Sequence, residues 1–95
     1  MCYIKYRMDF DWREDKRRRN LAKHGLDFAD VAQLEWEAAV LVADDRTDYG
    51  EARYWAFARW NGRLFLVAFT RRDGRIRIIR FRRANRKEVR RYGQA

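Results

Sequence analysis

Residues 51–83 read EARYWAFARWNGRLFLVAFTRRDGRIRIIRFRR. Two runs rich in aromatic and aliphatic residues, RYWAFARW and RLFLVAFTRR, flank Asn61-Gly62, and Asp73-Gly74 separates the second run from RIRIIRFRR. Both dipeptides accept the positive φ angles of a two-residue type I′ turn, whose twist matches that of the strands it joins. The stretch is therefore predicted to be a three-stranded antiparallel meander. Upstream, AAVLVA supplies a short apolar strand, and the acidic DDRTDYGE between the two reads as a loop.

Working outward, Ile4, Tyr6, Met8, Phe10 and Trp12 alternate with Lys5, Arg7, Asp9 and Asp11, the pattern of a half-buried strand. REDKRRRNLAKHG follows, with Glu14/Arg18 and Asp15/Arg19 at i,i+4 and Gly25 placed to end a helix in the left-handed conformation. A second helix is expected from an Asp27 cap to about Glu37, with Asp30 in the capping-box position and Leu26 and Val31 as a staple. At the other end Asn85 caps a last helix, Glu88 completes its capping box, and Val89 and Tyr92 give it an apolar side. The predicted order is βααββββα. It describes one α+β domain over residues 1–95, an antiparallel sheet packed against helices, with residues 1–7 continuing the first strand.

Ninety-five residues with 47% hydrophobic side chains and no proline suffice for one modest core. The formal net charge is +9, and RIRIIRFRRANRKEVRRY, residues 75–92, is half basic. A field of that sign recruits polyanions, nucleic acid first. A membrane surface would need an amphipathic helix that the chain does not show, and neither a spanning run nor a signal-peptide core is present, so a cytoplasmic protein is expected. Cys2, the single cysteine, cannot form an internal disulfide. In the last predicted strand, alternation puts Ile76 and Ile78 on one side with Arg80 and Arg82, and Arg77 on the other with Ile79 and Phe81. Neither side is purely apolar, which implies a sheet partly uncovered at this end and guanidinium groups offered to a ligand. The alternative is that these arginines only solubilise an edge strand.

Several pieces occur in order: F-x-W at Phe10 and Trp12, K-x-x-x-N-x-x-K-H-G from Lys16 to Gly25, Phe28, Y-G-E-x-R from Tyr49 to Arg53, N-G-R-L-x-x-V from Asn61 to Val67, and R-I-I-x-x-R-x-A followed by E-x-x-x-Y from Arg77 to Tyr92. Together they resemble the BrnT toxin family. The resemblance implies a type II toxin that cleaves RNA and inhibits translation, on a fold related to the RelE-like ribonucleases. It also implies a cognate antitoxin, forming a hetero-oligomer that represses their shared operon. Arg13 departs from the family's Asp, and Arg80 and Phe81 replace a small pair, either narrowing the substrate surface or adding a phosphate contact through Arg80.

Cleavage through the 2′-hydroxyl needs a base, an acid for the leaving 5′-oxygen, and cations for the charge that builds on phosphorus. His24 is the one histidine, with an ordinary pKa near neutrality, and Lys23 and Glu51 are the alternatives. Each also has a structural reading: His24 and Lys23 as helix-terminal groups, Glu51 as a partner of Arg53. Arg53, Arg77 and Arg82 match basic positions of the family pattern and are expected phosphate clamps, since a planar guanidinium binds phosphate bidentately. Arg63, Arg80, Arg83 and Tyr92 are expected RNA contacts, Tyr92 with packing of the last helix as its other use. No cofactor and no metal are expected: Asp44, Asp45, Asp48 and Glu51 do not follow the calcium-loop spacing and suit pairing with arginines. The chain has no serine, which excludes serine-based triads. The rival function is a nucleic-acid-binding module or repressor subunit without catalysis. The antitoxin partner is expected to be acidic where it covers the toxin and to carry a DNA-binding domain, its complex binding operator DNA.

Overall fold

The three strands of the meander are β3 (Arg53–Trp60), β4 (Arg63–Arg72) and β5 (Arg75–Arg83), preceded by β1 (Phe10–Trp12), α1 (Glu14–His24), two 3₁₀ segments (Phe28–Gln33 and Trp36–Ala38) and β2 (Val40–Ala43), and followed by α2 (Arg86–Tyr92). This computed structural model describes residues 9–46 and 50–93, so the expected strand over residues 4–8 and the ordering of residues 1–7 lie outside the described residues. Both turns form as their sequences require, with φ of 53° and 76° at Asn61 and Gly62 and 54° and 77° at Asp73 and Gly74. The register Trp60↔Arg63 and Arg72↔Arg75 follows directly.

Three expectations are corrected. First, the sheet, in the order β1-β5-β4-β3-β2, is mixed: β1 runs parallel to β5, Phe10 facing Ile76 and Trp12 facing Ile78. A parallel pair needs a long crossover, and here everything from α1 to β4 supplies it. Second, the segment after Gly25 is not an α-helix but two 3₁₀ turns. In an α-helix the Val31 carbonyl would accept from the Glu35 N–H. Instead it accepts from Leu34 N–H at 3.2 Å and from the Trp36 indole at 2.9 Å, while Glu35 N–H donates to the Arg59 carbonyl of β3. Asp27 does cap, but through Ala29 N–H, and no box with Asp30 forms.

Third, the two-sided mixing read in β5 is resolved by a β-bulge. Ala68 pairs with Arg80 and Phe69 with Ile78, so Ile79 is an extra residue. The slip reverses the alternation after Ile78 and puts Ile76, Ile78 and Phe81 in one apolar cluster despite their odd spacing. That cluster includes Phe28, Val31 and Leu34 from the 3₁₀ segment and Ala56, Phe65, Val67 and Phe69 from the sheet. The opposite face carries a smaller cluster of Phe57, Leu64 and Leu66, which α2 covers through Tyr92. At about 25 cal/mol per Å² of apolar surface removed from water, a buried phenylalanine such as Phe81 contributes on the order of 2 kcal/mol, enough to select one register over a slipped one.

Because β1 pairs only with residues 76–78, the edge of β5 beyond them would lack partners. Asn20 of α1 takes that place: Oδ1 accepts from Phe81 N–H at 3.1 Å and Nδ2 donates to the Phe81 carbonyl at 2.8 Å and to the Leu26 carbonyl at 3.1 Å. One buried amide thus completes a strand ladder and fixes α1 against β5.

Candidate functional site

α1 begins with Arg13 in an extended conformation, has acidic residues in its first turn and basic ones in its last, and ends at Gly25, whose φ is 71° and whose N–H donates to the Leu21 carbonyl. Docked on β5 by Asn20, it sets its basic flank beside the face to which the bulge delivers Arg77, Ile79, Arg80 and Arg82. Two adjoining depressions result. The first is lined by Lys16, Glu51, Arg53, Arg72, Arg77 and Ile79, among others. The second is lined by Lys16, Arg19, Asn20, Lys23, His24, Ile79 and Arg80, with no carboxylate among the described residues in its lining. A third, between Arg46, Arg53 and Trp55, also reaches Ile79 and Arg80. The bulge residue therefore lies where all three meet.

In the first depression each guanidinium has a carboxylate. Arg77 donates through Nε and Nη2 to the two oxygens of Asp11, each at 3.2 Å. Glu51 accepts from Arg72 at 3.0 Å and from Arg53 at 3.4 Å. The Arg72 hydrogen bond, against burial and with help from Arg53, holds the Glu51 carboxyl below its ordinary range, so it is ionised at neutral pH. Arg82, nearer α2, makes a fork to both oxygens of Glu88 at 2.9 Å each. Glu88 meanwhile accepts from Asn85 N–H in a complete capping box, as its sequence foretold. Burial alone would raise the Glu88 carboxyl, but Arg82 and the Asn85 N–H outweigh it and hold it low. Such pairs fix the orientation of a guanidinium and leave its remaining N–H groups for a ligand.

The second depression differs in kind. Burial lowers the pKa of His24, and the charges of Lys23, Arg80 and Arg82 lower it further. A neutral imidazole flanked by cations can accept a proton next to a bound anion. Lys16, Lys23 and Arg80 have no carboxylate within ion-pair distance among the described residues.

Of the residues singled out from the sequence, the fold brings Glu51, Arg53 and Arg77 together in one depression and Lys23, His24 and Arg80 in the next; Arg82 stands near enough for its charge to bear on His24. Arg63 opens β4 opposite Trp60, at the far end of the hairpin from Arg53, and Arg83 is exposed at the end of β5 opposite Phe65; neither lines these depressions. The Tyr92 ring stacks on Phe57 with centroids 4.2 Å apart and planes at 16°, so it packs α2. Asp44 pairs with Arg46 at 2.8 Å, Asp48 lies outside the described residues, and no group of three potential metal ligands occurs among the described ones. Sequence reasoning missed Asp11, Lys16 and Asn20. The last two are the first and fifth positions of the K-x-x-x-N stretch, whose spacing puts both on one helix face.

A family model described as "Ribonuclease toxin, BrnT, of type II toxin-antitoxin system" matches residues 12–88. Among solved structures, the 1.1 Å crystal structure of the Brucella abortus ribonuclease toxin BrnT is similar, with 31% identity, a TM-score of 0.66, and coverage of 84% of this chain and 100% of that one. No curated protein matches.

Proposed function

The chain belongs to the BrnT family of ribonuclease toxins of type II toxin–antitoxin systems, and from that premise we propose that it is a metal-independent endoribonuclease that inhibits translation in the cytoplasm until a cognate antitoxin neutralises it. The observation that carries the reading is that His24 lines a depression with Lys23 and Arg80, Arg82 within electrostatic reach, where burial and these charges favour its neutral form and no carboxylate among the described residues joins the lining. His24 takes the proton of the ribose 2′-hydroxyl, the oxygen attacks phosphorus, and the 5′-oxygen leaves with a proton from an acid, a role given to Lys23 of the same depression. Arg53, Arg77 and Arg82 stabilise the charge on the pentacoordinate phosphorus. Glu51 is the alternative base; its two oxygens accept from Arg72 and Arg53 and keep lone pairs for the hydroxyl. Arg80 binds the strand at the site, and Arg63 and Arg83 meet only nucleotides that extend beyond it. The relation to RelE-like ribonucleases belongs to the same reading.

The antitoxin in this scheme presents an acidic segment that covers Arg77, Arg82 and α2, and a DNA-binding domain through which the hetero-oligomer binds operator DNA. The decisive experiment incubates the purified protein with RNA in EDTA. Expected are fragments with 2′,3′-cyclic phosphate or 3′-phosphate ends. Fragments with 3′-hydroxyl ends, activity that requires magnesium, or binding without any cleavage would overturn the mechanism, the last in favour of a non-catalytic module.

A further inference from the structure

Lys16 borders both basic depressions and, with Ile79, forms the boundary between them. Its side chain is half buried, and cations share both depressions with it: Arg53 and Arg77 on one side, where Glu51 also lies, and Lys23 and Arg80 on the other. The nearby carboxylates are already taken, Asp15 by Arg13 and Arg19 at 2.9 and 2.7 Å, Asp11 by Arg77 and Glu51 by Arg53 and Arg72. A half-buried ammonium with like charges around it and no ion-pair partner among the described residues is a site that an anion completes. We infer that Lys16 contacts the RNA backbone and joins the two depressions into one track that a single strand follows, with Ile79 as the apolar floor between. An ammonium suits the junction because its three donors turn with a flexible stem and can be directed at phosphate oxygens on either side.

This inference rests on the reading of the face as an RNA site, and the test separates the two. A 2′-O-methyl RNA oligonucleotide, which cannot undergo 2′-hydroxyl attack, is titrated against wild type, Lys16→Ala and Lys16→Arg over a series of salt concentrations, with melting curves and with cleavage of the unmethylated oligonucleotide measured alongside. Lys16→Ala is expected to bind several-fold more weakly and to reduce the slope of log K against log salt by about 0.7, the value of one single-strand phosphate contact. Lys16→Arg should recover the slope, since it restores the charge at the junction. If wild type binds and cleaves while Lys16→Ala keeps both its affinity and its slope, the inference is wrong and the RNA reading survives; the same holds if Lys16→Ala weakens only the grip of an acidic protein segment. If wild type does not bind RNA at all, both fail.

Discussion

His24 sits at the end of α1 with its ring partly withdrawn from water and three cations near it, and each of these factors disfavours a second proton. The lowered pKa has two consequences of known sign. If His24 is the base, the acid limb of the cleavage rate lies below pH 6.5, the ordinary histidine value, and the rate is level above it until the general acid loses its proton. The folded state also binds fewer protons than the unfolded state just below that pH, so stability falls as the pH drops through this window. His24→Gln should cut the rate at least about 100-fold and erase the acid limb, with little change in melting temperature. A variant that keeps the limb would move the base elsewhere, Glu51 first. Arg77 permits a similar separation. Its fork to Asp11 is about a quarter exposed on each side, so losing it should cost roughly 1 kcal/mol, yet Arg77→Ala should lower cleavage by about 100-fold. Loss of many degrees of melting temperature with cleavage retained would instead make the arginine structural.

Asn20 holds one helix to one strand, and its truncation tests how much of the fold depends on that joint. Asn20→Ala orphans the N–H and carbonyl of Phe81 and should cost about 2–4 kcal/mol, with early hydrogen exchange at the Phe81 amide. Asn20→Asp keeps the acceptor but turns a carboxylate toward two carbonyls, so it should be no better. Equal stability of Asn20→Ala and wild type would show that water replaces the amide. α2 offers a second joint: Glu88→Ala removes both the capping box and the partner of Arg82, for an expected loss of about 2 kcal/mol. The elements legible in the sequence were those whose cause is local. Asn61-Gly62, Asp73-Gly74, Gly25 and the Asn85–Glu88 box each contain their own reason. The 3₁₀ segment was not legible because what breaks the helix, the Arg59 carbonyl, lies more than twenty residues away. The bulge left a trace, the odd spacing from Ile78 to Phe81, but alternation alone read it as a sheet with mixed faces. Lys23, His24 and Arg80 could be named from the sequence; that they share one depression depends on the bulge and on Asn20.

For the molecule as a whole, the formal charge of +9 is the residue of many local neutralisations. Glu14, held down to about 2 by Arg17, and Asp15, Glu51 and Glu88, also held low, bind protons less readily in the folded chain than in the unfolded one. Their contribution is complete above the ordinary carboxylate range and is lost as the pH falls through their lowered values. The urea midpoint should therefore be nearly flat from pH 7.5 to 6.5 and fall steeply below pH 4.5, where pairs break and net positive charge grows. A midpoint that rises on acidification would mean that repulsion among carboxylates, not pairing, governs the native charge. The parallel pairing of β1 with β5 acts on a different axis, that of time. Asp11 meets Arg77 across 66 positions of chain, and Asn20 meets Phe81 across 61. While the protein is being synthesised, its first strand and first helix leave the ribosome long before their partner strand exists, and such distant contacts close late. The basic track across α1 and β5 therefore has no existence on a nascent chain that has not released β5. A cell making this protein is exposed to the finished surface only after β5 has emerged, and it is then that an antitoxin can meet it.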